Sequence, residues 1–176
     1  GTEVTIETTV ARPYNHALYA KWTPDATGRT LYVNAARTDD SGDGLTWLTA
    51  KRTIQAAVNE AVAGETIWVT NGVYDVGGVV DSGSFLSNRV VIAKSVTVRS
   101  VNGAAMTTIV GSGTNLYGTA SAMRVVHMTA GVLEGFTVRG GTTRAVVGTD
   151  GNGAGICATS TSPQINQSVI VENRAD

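Results

Sequence analysis

Between Thr49 and Tyr74 the spacing of apolar residues changes period, and the change predicts a short helix followed by strands. Ile54, Ala57, Val58, Ala61 and Val62 recur at helical spacing and form one apolar stripe, leaving Gln55, Asn59 and Glu60 on the polar side. Thr53 is placed to cap the start of the helix, and Gly64 to end it in the left-handed conformation. Thr66 to Thr70 is then β-branched and aromatic, Asn71-Gly72 reads as a turn, and Val73-Tyr74 as a second apolar pair. A single stripe on so short a helix needs a cover. Because strand after strand follows, the helix is expected to lie as a lid on the open end of a stack of strands.

The strand pattern also repeats. Leu133 to Gly141 and Ile165 to Asn173 align position for position, Ala93 to Ser100 fits the same template, and Thr66 to Thr70 reads as a first copy. Between the copies lie further short strands at Val90-Val91-Ile92, Thr108-Ile109-Val110, Arg124 to His127 and Ile156-Cys157-Ala158. Units this thin cannot bury their own apolar face, so they are expected to stack as a solenoid whose inward side chains form continuous rows. One segment differs from this body. Residues 1–24 alternate around a Pro13/Asn15 turn and read as the end of a small β module, partly mobile or docked on the rest; residues 25–176 carry the lid and the coils.

Composition agrees with strands and tight turns. The 176 residues include 21 Gly and only 3 Pro, and just 15% are charged, for a formal net charge of -1, which argues against a nucleic-acid partner. No apolar run is long enough for a membrane span. The single Cys157 has no internal disulfide partner and reads as a small buried hydrophobe. The opening Gly1-Thr2-Glu3 has no signal-peptide pattern, and both ends of the chain are read as cuts in a longer protein.

Two resemblances sharpen the expectation. Glu3 to Val10 followed by His16 to Pro24, HALYAKWTP, resembles the ending of a Listeria-Bacteroides (internalin B-type) repeat of bacterial surface proteins. Tyr32 to Val76 resembles the N-terminal capping segment of bacterial right-handed parallel β-helix proteins of the pectin-lyase-like superfamily. Gly151 to Asp176 is similar to the glycine-rich coil repeat of that group. Together these imply an all-β fold, a right-handed parallel β-helix (β-solenoid) with an N-terminal capping α-helix. They also imply an extracellular bacterial surface protein.

Many proteins of that group cleave or bind polysaccharide, so their equipment is the natural thing to look for. Inverting glycosidases hold two carboxylates apart to admit a water. Gly148 to Gly153 resembles a polygalacturonase motif, but Gly148 and Gly153 stand where that motif has Asn and Asp, and a flexible loop between coils is the preferred reading. In the coils, Glu134, Asp150 and Glu172 with Lys94, Arg139 and Arg144 are the charged groups on offer. The aligned copies put Glu134 over Asn166 and Arg139 over Val171, so no carboxylate cluster forms and solvated corners are preferred. His127 reads as a partly covered structural residue, and His16 lies in the first segment, remote from it. No catalytic residue is therefore assigned.

Asp39, Ser41, Asp43 and Gly44 match the first half of a calcium loop, but Ala50 stands where the closing Glu belongs. Asp39 and Asp43 remain metal candidates, calcium being the ion such a loop would hold, and an Asx-rich turn presenting Trp47 and Leu48 to the body is preferred. Most aromatics precede the coils and are assigned to cap and core packing; Tyr117 is the one expected to be exposed. Tyr117, Glu134, Arg139 and Asp150 are thus the candidate ligand-binding residues. The expected function is a non-catalytic structural or adhesive fragment facing a polysaccharide or a host-surface glycan or protein. The alternatives are the first part of a polysaccharide lyase or glycoside hydrolase whose active site lies in later coils, and a plain spacer. Self-association is expected through an exposed last coil.

Overall fold

A computed structural model describes residues 28–80, 85–111, 122–143 and 150–175. Segment 1–24, Tyr117 and His16 lie outside the described residues.

The chain is a parallel β-solenoid of about four turns, closed at one end by a helix. In order it runs β1 (Thr30–Val33), α1 (Ile54–Glu60), β2 (Thr66–Val69), β3 (Gly72–Tyr74), β4 (Val79–Val80), β5 (Ser87–Ile92) and β6 (Thr97–Ser100). It continues with β7 (Thr107–Val110), β8 (Met123–Met128), β9 (Val132–Glu134), β10 (Thr137–Arg139), β11 (Ile156–Ala158), β12 (Gln164–Asn166) and β13 (Val169–Ile170). These stack as three sheets. The first is β1-β2-β6-β9-β12, the second β3-β7-β10-β13, and the third β4-β5-β8-β11. Every described pairing between strands is parallel except β4 with β5, an antiparallel hairpin at the capped end of the third sheet.

Stacking follows the alternation of side chains. Ile67, Val98, Leu133 and Ile165 form one inward row of the first sheet, so successive turns advance by 31, 35 and 32 residues. Val90 on Val126 and Ile92 on Met128 form inward rows of the third sheet, and Ile109 on Val138 one of the second. The expected pairing of Glu134 with Asn166 holds. Sequence likeness misleads at one place. Thr97-Val98-Arg99 has the same letters as Thr137-Val138-Arg139, yet it stacks on Val132-Leu133-Glu134 in a different sheet.

Helix α1 buries Ile54, Ala57 and Val58 over the mouth of the first turn, against β1, β2 and β5. Burial of Ile54 and Val58 is worth roughly 2 kcal/mol each, stabilisation that so short a helix does not have on its own. Thr53 caps it as expected, its hydroxyl accepting from Ala56 N at 3.2 Å. Asp40 reinforces that end, its carboxylate accepting from Arg52 N, Thr53 N and the Thr53 hydroxyl at 2.7, 2.8 and 2.9 Å.

The other end departs from expectation. The helix stops at Glu60, with Ala61 extended as its cap, so Val62 leaves the stripe and is exposed. Gly64, at φ +90°, is used in the turn into β2 rather than as the helix stop, and its N–H donates to Ser95 O at 2.8 Å. Lys94 closes the helix instead. Its ammonium donates to the carbonyls of Val58, Asn59 and Ala61 at 3.0, 2.8 and 2.8 Å, a cation on the negative end of the helix. In the turn itself, Glu65 is buried, held by Arg29 at 2.6 and 3.1 Å and by Val62 N at 2.8 Å.

Candidate functional site

In β1, β2 and β6 buried residues alternate with half-buried ones, which separates an inward from an outward set. In register along the outward face of the first sheet stand Tyr32, Trp68, Arg99, Glu134 and Asn166. Beside them runs a second outward row, Thr30, Thr66, Thr97, Val132 and Gln164. Rungs of a sheet lie ~4.8 Å apart, so neighbours in a row touch although they are distant in sequence.

The Arg99 guanidinium lies 5.4 Å from the centre of the Trp68 ring, a cation–π contact, and its Nη2 donates to Glu134 Oε2 at 2.8 Å. Its plane is thereby fixed between an indole and a carboxylate on the adjacent rungs. Arg99 Nε is buried with no acceptor among the described residues.

At the capped end the row is continued by Trp47, whose ring meets Tyr32 edge-on at 4.4 Å. The loop carrying it is braced internally. Tyr32 N donates to Gly44 O and Gly44 N to Thr49 O, both at 2.8 Å. Asp43 Oδ1 accepts from the Thr49 hydroxyl at 2.5 Å and from Leu45 N at 2.9 Å. The Thr49 hydroxyl, then the Leu45 N–H, hold the Asp43 carboxyl below its ordinary pKa. Leu45, Trp47 and Leu48 project from this brace into solvent, exposed by 43, 42 and 78%. Trp47 and Leu48 were expected to face the body; the loop turns Leu48 outward and leaves Trp47 half in contact.

The other residues singled out from the sequence scatter. Glu134 belongs to the outward strip. Arg139 lies on β10 in the second sheet, exposed, 3.7 Å from Glu172. Asp150 is buried rather than solvated, and its Oδ2 accepts from Phe85 N at 2.9 Å, which corrects the reading of this stretch as a loose loop at that residue. The carboxylates of Glu134 and Glu172 thus lie at different sheets, and that of Asp150 is buried. Asp39 accepts from both the hydroxyl and the N–H of Ser41, at 2.6 and 2.9 Å, and these bonds, hydroxyl first, lower its pKa. Among the described residues no three His, Cys, Asp or Glu side chains gather where they would hold a metal ion. His127 is buried, with Nε2 3.3 Å from the Thr159 hydroxyl, as suits a structural residue.

No family model, curated protein or solved structure matches this chain. Among the described residues no helix is long and apolar enough to cross a membrane. Chemically, the strip presents an aromatic platform, a donor and acceptor pair, and two polar amides beyond it at Gln164 and Asn166, both exposed.

Tyr32, Trp47, Trp68 and Arg99 are members of the strip that sequence reading missed. Trp68 was assigned to cap and core packing, yet in Thr66-Ile67-Trp68-Val69 it alternates with two fully buried residues and therefore faces outward. That alternation was the available signal. Nothing local marks Arg99 as its neighbour.

Proposed function

We propose that this chain is a non-catalytic, adhesive segment of an extracellular bacterial surface protein, a stiff solenoid that binds glycan along the outward face of its first sheet. The observation that carries the reading is the Trp68, Arg99, Glu134 row, continuous with Tyr32 and Trp47. Stacked aromatic, hydrogen-bonding and amide side chains on a rigid surface suit a ligand that is apolar on its ring faces and rich in hydroxyls. The resemblance of Tyr32 to Val76 and of Gly151 to Asp176 to polysaccharide-handling β-helices supports the same reading, and with it the extracellular setting. A glycan array probed with the full chain is the test. Retention on particular glycans, with loss in a Trp47→Ala variant, is the expected result, and retention on none would overturn the proposal. Release of new reducing ends from bound polysaccharide would favour a lyase or hydrolase instead.

For the 176 residues by themselves, the proposal includes self-association through the last turn. Ile165 and Ile170 continue inward rows whose preceding members, Leu133 and Val138, are fully buried, yet they are themselves 40 and 50% exposed. Val169 and Val171 beside them are similarly open. The opposite end is closed by α1 and β4, so two copies would meet tail to tail.

A further inference from the structure

The charges on the strip bear on which glycan fits. Its outward rows hold one cation and one anion, Arg99 and Glu134, and these already face each other at 2.8 Å. No unbalanced cation is left in either row to receive a carboxylate. Asp43, in the loop that carries Trp47, is a further anion near this end, its carboxylate turned to Leu45 N and the Thr49 hydroxyl.

The hydrogen-bonding capacity that remains is of a different kind. Arg99 Nη2 and Glu134 Oε2 are engaged with each other, which leaves Arg99 Nη1 and Glu134 Oε1 without partners among the described residues. Their side chains retain 40 and 18% exposure. A free donor beside a free acceptor is complementary to two adjacent hydroxyls, one accepting and one donating. Trp47, braced by Tyr32 and exposed by 42%, offers a ring for the C–H face of a sugar. Tyr32 and Arg99 are two rungs apart, on the order of 10 Å, a span that an extended oligosaccharide crosses in a few sugars.

We infer that the strip binds neutral, diol-bearing glycans in preference to uronates, with Trp47 as the stacking platform and the Arg99–Glu134 pair as the reader of a vicinal diol. The inference rests on the glycan reading above. A uronate would bring its carboxylate against Glu134 without a free cation to compensate, whereas a neutral sugar meets no such penalty.

The test is calorimetric titration of the full chain with cellohexaose, xylohexaose and mannohexaose, and in parallel with hexagalacturonate. Binding of at least one neutral hexamer, with hexagalacturonate about tenfold weaker or silent, is expected. Trp47→Ala should weaken the neutral ligand about tenfold, and because the ring is half exposed the melting temperature should barely move. Glu134→Gln removes the repelling charge and should narrow the gap between hexagalacturonate and the neutral ligand. Tighter binding of hexagalacturonate than of every neutral hexamer by the unmodified chain would overturn this inference and leave the glycan reading standing. Silence toward all four ligands would count against both. Neutral binding untouched by Trp47→Ala would remove the platform from the site and overturn the inference as stated.

Discussion

The side chain of Gln55 hydrogen-bonds both backbone groups of Val91. Its Oε1 accepts from Val91 N at 2.7 Å, and its Nε2 donates to Val91 O at 3.4 Å. Among the described residues the short strand β4 pairs with Ser87 and Asn88 and does not reach Val91, where the amide of a cap residue stands in for a neighbouring strand. An open sheet edge is thereby covered by the lid that also covers the interior. Gln55→Ala would leave Val91 N–H without a partner in a nearly buried position, at a cost of about 1–2 kcal/mol. Thermal unfolding should drop by roughly 2–8 °C, and the Val91 amide should exchange faster with solvent.

Gly64→Val should also destabilise the cap, for a reason other than a helix stop. The residue sits at φ +90° in the turn from α1 to β2, a conformation that costs a β-branched residue on the order of 1–3 kcal/mol. A melting temperature within one degree of the unmodified protein would show that the turn rearranges freely. Gly131→Ala should be more severe. At φ +79° a Cβ there would fall 2.6 Å from Val96 O and 2.7 Å from Lys94 O, where backbone crosses backbone.

The Glu65–Arg29 pair makes stability depend on pH. Burial by itself raises the Glu65 pKa; the hydrogen bonds from Arg29 and Val62 N, with the charges of Arg29 and Lys94, outweigh it and bring the pKa below its ordinary 4.5. A carboxyl with a depressed folded pKa contributes its stabilisation in full above the unfolded value. That contribution is lost as pH falls through 4.5 and on through the folded value. Melting temperature should therefore decline on acidification below this range, more steeply in the unmodified protein than in Glu65→Gln. Parallel curves for the two would show that Glu65 does not contribute.

Calcium should leave the melting temperature unchanged. Asp39 and Asp43 each turn back on their own loop, toward Ser41 and toward Leu45 and Thr49, and Asp40 is engaged in capping α1. A rise in melting temperature with millimolar calcium, abolished by Asp43→Asn, would establish an oxygen site there after all.

The open last turn leads to a prediction about mass. Light scattering should show a concentration-dependent dimer, and Ile170→Asp should yield a monomer, because a charge on an exposed apolar row resists burial. A monomer at every concentration would show that the 176 residues by themselves do not pair through this turn.

By itself, the sequence determined the kind of fold and much of its interior. Period-two alternation marks Ile67, Val98, Leu133 and Ile165 as inward residues whatever lies next to them, and a helix with one apolar stripe beside a run of strands has few places to go. Tertiary structure alone decided what meets on the surface. Trp68, Arg99 and Glu134 are 31 and 35 residues apart, and the lengths of the intervening turns set which rung each one occupies. The twin Thr-Val-Arg triplets end on different sheets for that reason, and Asp150 is buried by what packs around it rather than by its neighbours in the chain. Inward positions answer to the local rule that apolar groups leave water, but outward ones acquire their chemistry only from the residues stacked above and below them.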